Sequence, residues 1–402
     1  MKTVTAQDIE FAYETLKDAI HFTTLDRSRT FSEMAGQPIY LKLENLQKTG
    51  SFKIRGAYHK IASLSDAEKS HGVIAASAGN HAQGVAYAAG LQNIPATIVM
   101  PEAAPLAKVM ASRGYGAKVV LYGSCYDEAY QKAAELKETE GLTFIHAFND
   151  PQVIAGQGTI GLEILQQLPS VDQIFVPIGG GGLAAGIGAY IKAKAPHVKV
   201  IGVEASGAAS MYLSKARHVL TPICDATTIA DGIAVKVPGD LTFPIIDETI
   251  DEIVLVEEEE IAAAILLMLE RSKLMVEGAG AVSLAAALKS KGRFKGNSVC
   301  LISGGNIDVN FIARMIERGL VQSGRRVKLA TLVPDRPGAL QHVLALIAQA
   351  KANVVHVLHD RIERQVPIGQ AVLEISLETR DSGHTAEIVA LLQHEGYQVT
   401  VI

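Results

Sequence analysis

Short runs of almost uninterrupted apolar residues, many of them β-branched, recur through the first three hundred positions, and most are followed by a stretch with helical spacing. The runs lie at 72–76, 96–100, 118–121, 143–145, 173–178, 198–203 and 298–302, and helical patterns at 81–90, 106–113, 127–137, 153–168 and 183–193 separate them. A strand without polar alternation has no face to offer water, so it must be covered on both sides. Strands of that kind spaced by helices predict parallel sheets in an α/β fold. There are more of them than one small sheet needs, which predicts two lobes. In such sheets ligands sit beyond the carboxyl ends of the strands.

Ahead of the first apolar run, Thr5 with Asp8 three positions on reads as a cap. It opens a helix whose apolar residues are Ile9, Ala12, Leu16 and Ile20. Residues 21–37 read as a loop and 39–44 as a strand. The acidic run 257–260 reads as the first turn of a core helix. The pattern changes after Arg318. Residues 317–326 are polar and carry two glycines, as a linker would, and beyond them strand, helix, strand, strand, helix and strand follow at 327–333, 339–350, 353–359, 369–378, 385–394 and 397–402. That βαββαβ order predicts a ferredoxin-like unit. The expected organisation is a catalytic domain over 1–320, with a small lobe at about 45–150 inserted in a larger one, and a separate domain over 327–402.

Composition narrows the function classes. Hydrophobic residues make up 48% of the 402, with 36 glycines, enough for a large core. A net charge of −5 with interspersed signs, and no tryptophan, argues against nucleic acid as a partner. The longest apolar run, 261–269, falls well short of the roughly 18 residues that cross a membrane, so no membrane partner is expected. The first five residues do not resemble a secretory signal. Cys125, Cys224 and Cys300 have no metal-ligand spacing, and such a scattered set suits a reducing compartment. A cytoplasmic protein without a structural metal is expected.

Four segments carry chemistry. Lys53 follows the turn Gly50-Ser51 and Phe52, at what reads as a helix start with Ser51 as candidate N-cap. The positive end of a helix disfavours an ammonium there, which suits an amine nucleophile. Its alternative is an ordinary solvated lysine. Ser77-Ala78-Gly79-Asn80-His81-Ala82-Gln83-Gly84 joins a strand to a helix, and its amides could receive a carboxylate; a capped turn with a core histidine is the other reading. Gly179-Gly180-Gly181-Gly182-Leu183 again joins strand to helix. Four consecutive glycines are costly to order unless their amides surround a phosphate, and the segment lacks both the Walker lysine and the dinucleotide spacing. Ser303-Gly304-Gly305-Asn306 sits at another strand end and offers a neutral hydroxyl.

A reactive lysine, a nest for one phosphate and polar groups suited to an aromatic ring are what pyridoxal phosphate requires. With these segments in this order, about residues 5–320 resemble the fold type II (tryptophan synthase β-like) pyridoxal-phosphate enzymes, and within them the threonine/serine dehydratases, or threonine ammonia-lyases. The resemblance implies that Lys53 binds the cofactor covalently and acts as catalytic base, with Phe52 beside the ring. It further implies that Asn80 meets the ring hydroxyl, Gly179, Gly180, Gly181, Gly182 and Leu183 the phosphate, and Ser303 the ring nitrogen. Gly232 and Glu277 would lie near the cofactor, and the backbone of Ser77, Ala78, Gly79, Asn80 and His81 would hold the substrate carboxylate. The implied reaction is β-elimination from L-threonine, and from L-serine, to 2-oxobutyrate or pyruvate plus ammonia, in isoleucine biosynthesis or threonine catabolism.

Where related serine racemases carry a serine that acts as a second acid/base, this chain has Ala78, so dehydration is expected over racemisation. Their divalent-cation segment is matched by Glu204 and Ala208 but not at Ser210, which leaves room for a monovalent cation. Retention of Lys53, Asn80, the glycine nest and Ser303 argues against a non-catalytic amino-acid sensor on the same fold. The last domain, with Asp335-Arg336-Pro337-Gly338-Ala339-Leu340, resembles an ACT-type regulatory unit. It implies an amino-acid effector and a homodimer or homotetramer, the alternative being assembly alone.

Overall fold

The structure is a computed structural model and describes residues 4–362 and 366–402. Fourteen strands are found among the described residues: β1 (Leu25–Ser28), β2 (Ile39–Leu43), β3 (Val73–Ala76), β4 (Ala96–Met100), β5 (Lys118–Leu121), β6 (Thr143–Phe144), β7 (Val171–Pro177), β8 (Lys199–Ala205), β9 (Glu252–Val256), β10 (Asn297–Ile302), β11 (Arg326–Pro334), β12 (Asn353–Asp360), β13 (Gln370–Glu378) and β14 (Val399–Val401). They form three sheets. One runs β1-β2-β10-β7-β8-β9, parallel except for β1; a second runs β5-β4-β3-β6, all parallel; the third runs β12-β13-β11-β14, all antiparallel. The chain divides into two compact units, 1–307 and 308–402.

The first unit holds both parallel sheets, and the chain leaves the six-stranded sheet after β2 and returns to it at β7. Every residue of β3 and β4 is buried, as is every residue of β7 except Asp172. This two-sided burial is what the unbroken apolar runs require. Separate apolar clusters cover the two faces of the larger sheet, one containing Ile174, Val176 and Leu301, the other Phe175, Ile201 and Ile302. Alternate residues of β7 thus supply opposite faces.

The second unit alternates instead. In β11 the buried residues are Val327, Leu329, Thr331 and Val333, and in β13 they are Ala371, Leu373, Ile375 and Leu377. Helices Ala339–Gln349 and Ser382–His394 cover this face with Val343, Ile347, Ile388 and Leu392. The βαββαβ order and antiparallel sheet give a ferredoxin-like unit.

Three local expectations are corrected. Residues 21–37 are not a loop. They contain β1, a short polar strand on the sheet edge, and the helix Arg29–Ala35, which Ser28 caps and Gly36 ends at φ 72°. Residues 317–322 are not linker but the end of the helix Val309–Gln322, since the apolar spacing Ile312, Ile316, Leu320 outlasts Gly319. Strand β9 was hidden between two helices, where a short apolar run is hard to tell from helix.

Candidate active site

The carboxyl ends of β3, β7 and β10 open on a cleft of about 780 Å³ in the first unit. Lys53, Asn80, the turn Gly179–Gly182, Glu277 and Ser303 all line it, as do Phe52, Leu183, Gly232 and residues Ser77 to His81.

Lys53 is held from two sides. Ser51 pairs with Gly304 as an isolated bridge, and the Phe52 amide donates to the Ser303 carbonyl at 3.2 Å. The helix Lys53–Ala62 therefore starts against the end of β10, with Lys53 as its first residue and Phe52 as N-cap. Ser51 is not the cap expected from sequence, because the bridge to Gly304 directs its backbone elsewhere. The Lys53 Nζ donates to the Ala147 carbonyl at 3.0 Å and stands 5.1 Å from the Phe52 ring centroid. Burial pushes this amine down to about 8, opposed by the Glu277 charge.

Two residues on, Arg55 anchors the same helix from below. It is fully buried and donates to both oxygens of Glu44, at 2.7 and 2.8 Å, and to both of Glu163, at 2.6 and 3.0 Å. Lys42, also buried, reaches Glu163 at 2.6 Å. Two cations and two carboxylates balance, and the helix Pro151–Gln167 is tied to β2 and to the lysine helix. Backbone close approach supports the same packing, since a Cβ on Gly156 would lie 2.7 Å from the Arg55 carbonyl.

The glycine turn has a shape that side chains would destroy. Gly181, at φ 97°, is the N-cap of the helix Gly182–Lys194 and no side chain caps that helix. A Cβ on Gly180 would meet the Phe148 ring at 2.4 Å, and one on Gly182 would meet the Phe148 carbonyl at 2.8 Å. Thr242 Oγ1 and the Gly239 amide donate to the Gly180 carbonyl at 2.6 and 3.2 Å, fixing the peptide. The helix Asn80–Leu91 likewise begins at a glycine, Gly79, with no side-chain cap. Its free amides open beside Ser77 and Ala78. The His81 ring, however, turns away to the Ile145 carbonyl at 2.8 Å, and burial pushes it down to about 3, so it stays neutral.

Asn80 Nδ2 donates to Glu277 Oε1 at 2.7 Å, while Asn80 Oδ1 is buried with no hydrogen-bond partner. Glu277 is the N-cap of the helix Gly278–Lys289, and its amide donates to the Gly304 carbonyl at 3.1 Å. Burial, and next Asp231, push its carboxyl up to about 8. Ser303 Oγ donates to the Ala279 carbonyl at 3.2 Å, and the same hydroxyl can rotate to donate to a ring nitrogen instead. Gly232 is exposed at the rim, where a Cβ would approach Ala279 at 3.0 Å.

These residues fit pyridoxal phosphate: a capless glycine turn that excludes side chains for a phosphate, an amide with one end left unpartnered and a hydroxyl for ring heteroatoms, and an amine with a lowered pKa. The cation segment does not look like an open site. Both oxygens of Glu204 accept backbone amides, of Met211 at 3.0 Å and Tyr212 at 2.7 Å, and Ser210 Oγ donates to the Val235 carbonyl. No group of three or more histidine, cysteine or acidic side chains is placed to hold a metal among the described residues.

The segment His146-Ala147-Phe148 escaped sequence reading. It supplies the Lys53 acceptor and the ring against the glycine turn, and His146 Nδ1 accepts the amides of Phe148 and Asn149 at 3.2 and 2.9 Å. Its only signal was the turn sequence Asn149-Asp150-Pro151 ahead of a helix.

A family profile described as pyridoxal-phosphate dependent enzyme matches residues 16–305. The L-threonine ammonia-lyase of Thermotoga maritima is 54% identical over 400 residues, 99% of this chain and 100% of its own. Among solved structures, the processed form of threonine deaminase isoform 2 from Solanum lycopersicum has a TM-score of 0.75 at 41% identity, covering 79% of this chain and 90% of its own. Maize serine racemase also has a TM-score of 0.75, at 34% identity, covering 80% of this chain and 99% of its own.

Proposed function

The chain belongs to the pyridoxal-phosphate-dependent enzymes, and on that footing we propose that it is an L-threonine ammonia-lyase, converting L-threonine to 2-oxobutyrate and ammonia and L-serine to pyruvate and ammonia. The observation that carries this reading is one cleft with the Lys53 amine, the glycine turn and the free amides beside Ala78 on its wall. The 54% identity to an L-threonine ammonia-lyase across essentially the whole chain supports it.

In this reading the amides of Gly179 to Leu183 hold the cofactor phosphate, Asn80 faces the ring oxygen, Ser303 the ring nitrogen and Phe52 the ring. When bound, pyridoxal phosphate supplies a sink for the negative charge left at the substrate Cα. Within the segment Ser77 to His81, the Ser77 and Gly79 amides are already bonded, to the Val99 carbonyl and to Ser77 Oγ, and the remaining amides bind the substrate carboxylate and fix the Cα–H bond toward Lys53. Once its Nζ is free, Lys53 would act as the base that removes the Cα proton. A group with a pKa near 8 is well matched to that transfer at neutral pH. Ser303 donates no formal charge to the ring nitrogen, so electron density stays available to expel the β-hydroxyl. The hydroxyl leaves with a proton as water, and a second water releases ammonia and the 2-oxo acid. Ala78 has no proton to transfer on the opposite face, which separates this site from racemisation.

The second unit is read as an ACT-type regulatory domain. Gly338, at φ 92°, opens the helix Ala339–Gln349 without a side-chain cap, which suits an amino-acid carboxylate. An effector such as isoleucine or valine, a place in isoleucine biosynthesis or threonine catabolism, a homodimer or homotetramer, and a cytoplasmic location complete the proposal. No helix among the described residues is long and apolar enough to cross a membrane.

The test is incubation of purified, cofactor-loaded protein with L-threonine, following 2-oxobutyrate and ammonia. Equimolar formation of both is expected; D-allothreonine in their place, or no product, would overturn the reading. Removing residues 326–402 should abolish any response to isoleucine or valine, and a response that survives would put the effector elsewhere.

A further inference from the structure

Asn80 and Glu277 form a pair whose hydrogen bonds can be arranged in two ways. As observed, Asn80 Nδ2 donates to Glu277 Oε1 at 2.7 Å, and Asn80 Oδ1 is left buried and unpartnered. An ionised Glu277 allows only this arrangement, because a carboxylate accepts and cannot donate. A protonated Glu277 could instead donate its O–H to Asn80 Oδ1, and the turned amide would free Nδ2 as a donor to whatever lies opposite. The two ends of an amide nearly superimpose, so both arrangements use the same heavy-atom positions.

Space keeps the pair in contact. A Cβ on Gly304 would lie 2.2 Å from Glu277 Oε1 and 3.2 Å from Asn80 Nδ2, so only glycine there leaves room for the two side chains. The Glu277 amide is itself tied to the Gly304 carbonyl. We propose that Glu277 is a positioning residue whose proton decides which end of the Asn80 amide faces the ring oxygen of the cofactor. The inference rests on the reading that pyridoxal phosphate occupies this cleft with its ring oxygen at Asn80.

The charges around Glu277 set where the exchange occurs. Burial favours its neutral form most strongly, followed by Asp231 on the turn Asp231–Ile233. Asn80 on the helix Asn80–Leu91, Lys108 on the helix Leu106–Gly114 and Lys53 on the helix Lys53–Ala62 favour the ionised form. Lys108 and Asp231 also face each other at 3.9 Å. Near neutral pH Glu277 holds its proton, and Asn80 offers Nδ2 to an ionised ring oxygen. As pH rises Glu277 ionises and reclaims Nδ2, and Oδ1 then opposes that oxygen. Cofactor binding weakens, by up to about tenfold per pH unit above the midpoint. Lys53 works in the opposite sense, because its neutral amine is the form that bonds to the cofactor.

The test measures the cofactor Kd and the visible absorption of loaded protein from pH 6 to pH 10. The wild type should bind more tightly as Lys53 loses its proton and then more weakly again on the alkaline side, the second change being the Glu277 transition. Glu277→Gln, which cannot ionise, should lack it. Two variants on the cleft rim test the same point without touching the pair: Asp231→Asn should move the midpoint to lower pH and Lys108→Met to higher pH. Opposite shifts would not arise from a merely structural role. An unchanged transition in Glu277→Gln, or rim variants that leave the midpoint fixed or shift it the same way, would overturn the role of Glu277. A wild type that takes up no cofactor would instead overturn the reading of the cleft.

Discussion

The Lys53 amine donates to the Ala147 carbonyl at 3.0 Å, and the next residue, Phe148, fills the space a side chain on Gly180 would occupy. Two adjacent residues thus join the amine to the glycine turn. Whatever displaces Phe148 moves the Lys53 acceptor as well.

Gly180→Ala puts a methyl 2.4 Å from the Phe148 ring carbons. Overpacking of this kind costs about 1–3 kcal/mol. Cofactor affinity should fall about tenfold or more, with the secondary structure intact. Titration of the apo-protein followed by absorbance checks it, and unchanged affinity would contradict the assignment of the phosphate to this turn.

Cofactor uptake should depend on pH with a defined sign. Only the neutral amine attacks a carbonyl, and burial pushes Lys53 down to about 8. The uptake rate of apo-protein should therefore rise with pH, reach a plateau above 8, and fall about tenfold per unit below it. Stopped-flow absorbance at constant ionic strength measures this. A rate still rising at pH 10 would mean an ordinary solvated lysine.

Much of this was legible in the sequence because it is local. Unbroken apolar runs marked β3, β4 and β7 as strands buried on both faces, whereas the run 118–121 became β5, an edge strand with no fully buried residue; the glycines and Ser303 marked strand ends where a sheet exposes its ligands. What was missed depends on contacts between distant segments. Ala147 and Phe148 have no special composition, and their importance comes from lying beside Lys53 and Gly180. Arg55 was visible only as part of a motif; its role rests on Glu44 and on Glu163, 108 positions away. Strand β1 is polar because it lies at a sheet edge, so apolar patterning did not find it.

Arg55→Met leaves Glu44 and Glu163 buried with only Lys42 to balance them. Breaking a buried ion network on one side costs about 3–5 kcal/mol. Chemical denaturation should show a loss of that size. A loss below about 1 kcal/mol, the range of an exposed pair, would mean that the cluster does not hold the lysine helix.

Ala78→Ser places a hydroxyl beside the free amides of the helix Asn80–Leu91, opposite the Lys53 side in the proposed geometry. Chiral chromatography should detect D-serine from L-serine in this variant and none in the wild type. Equal D-serine from both would mean that another residue already supplies the second proton transfer.

The central claim is that Lys53 carries the cofactor. Borohydride reduction of loaded protein, followed by proteolysis and peptide mass mapping, locates the attachment directly. The reduced pyridoxyl-phosphate group should appear on Lys53 alone, and Lys53→Ala should carry none. A modified residue other than Lys53, or full lyase activity in Lys53→Ala, would contradict it.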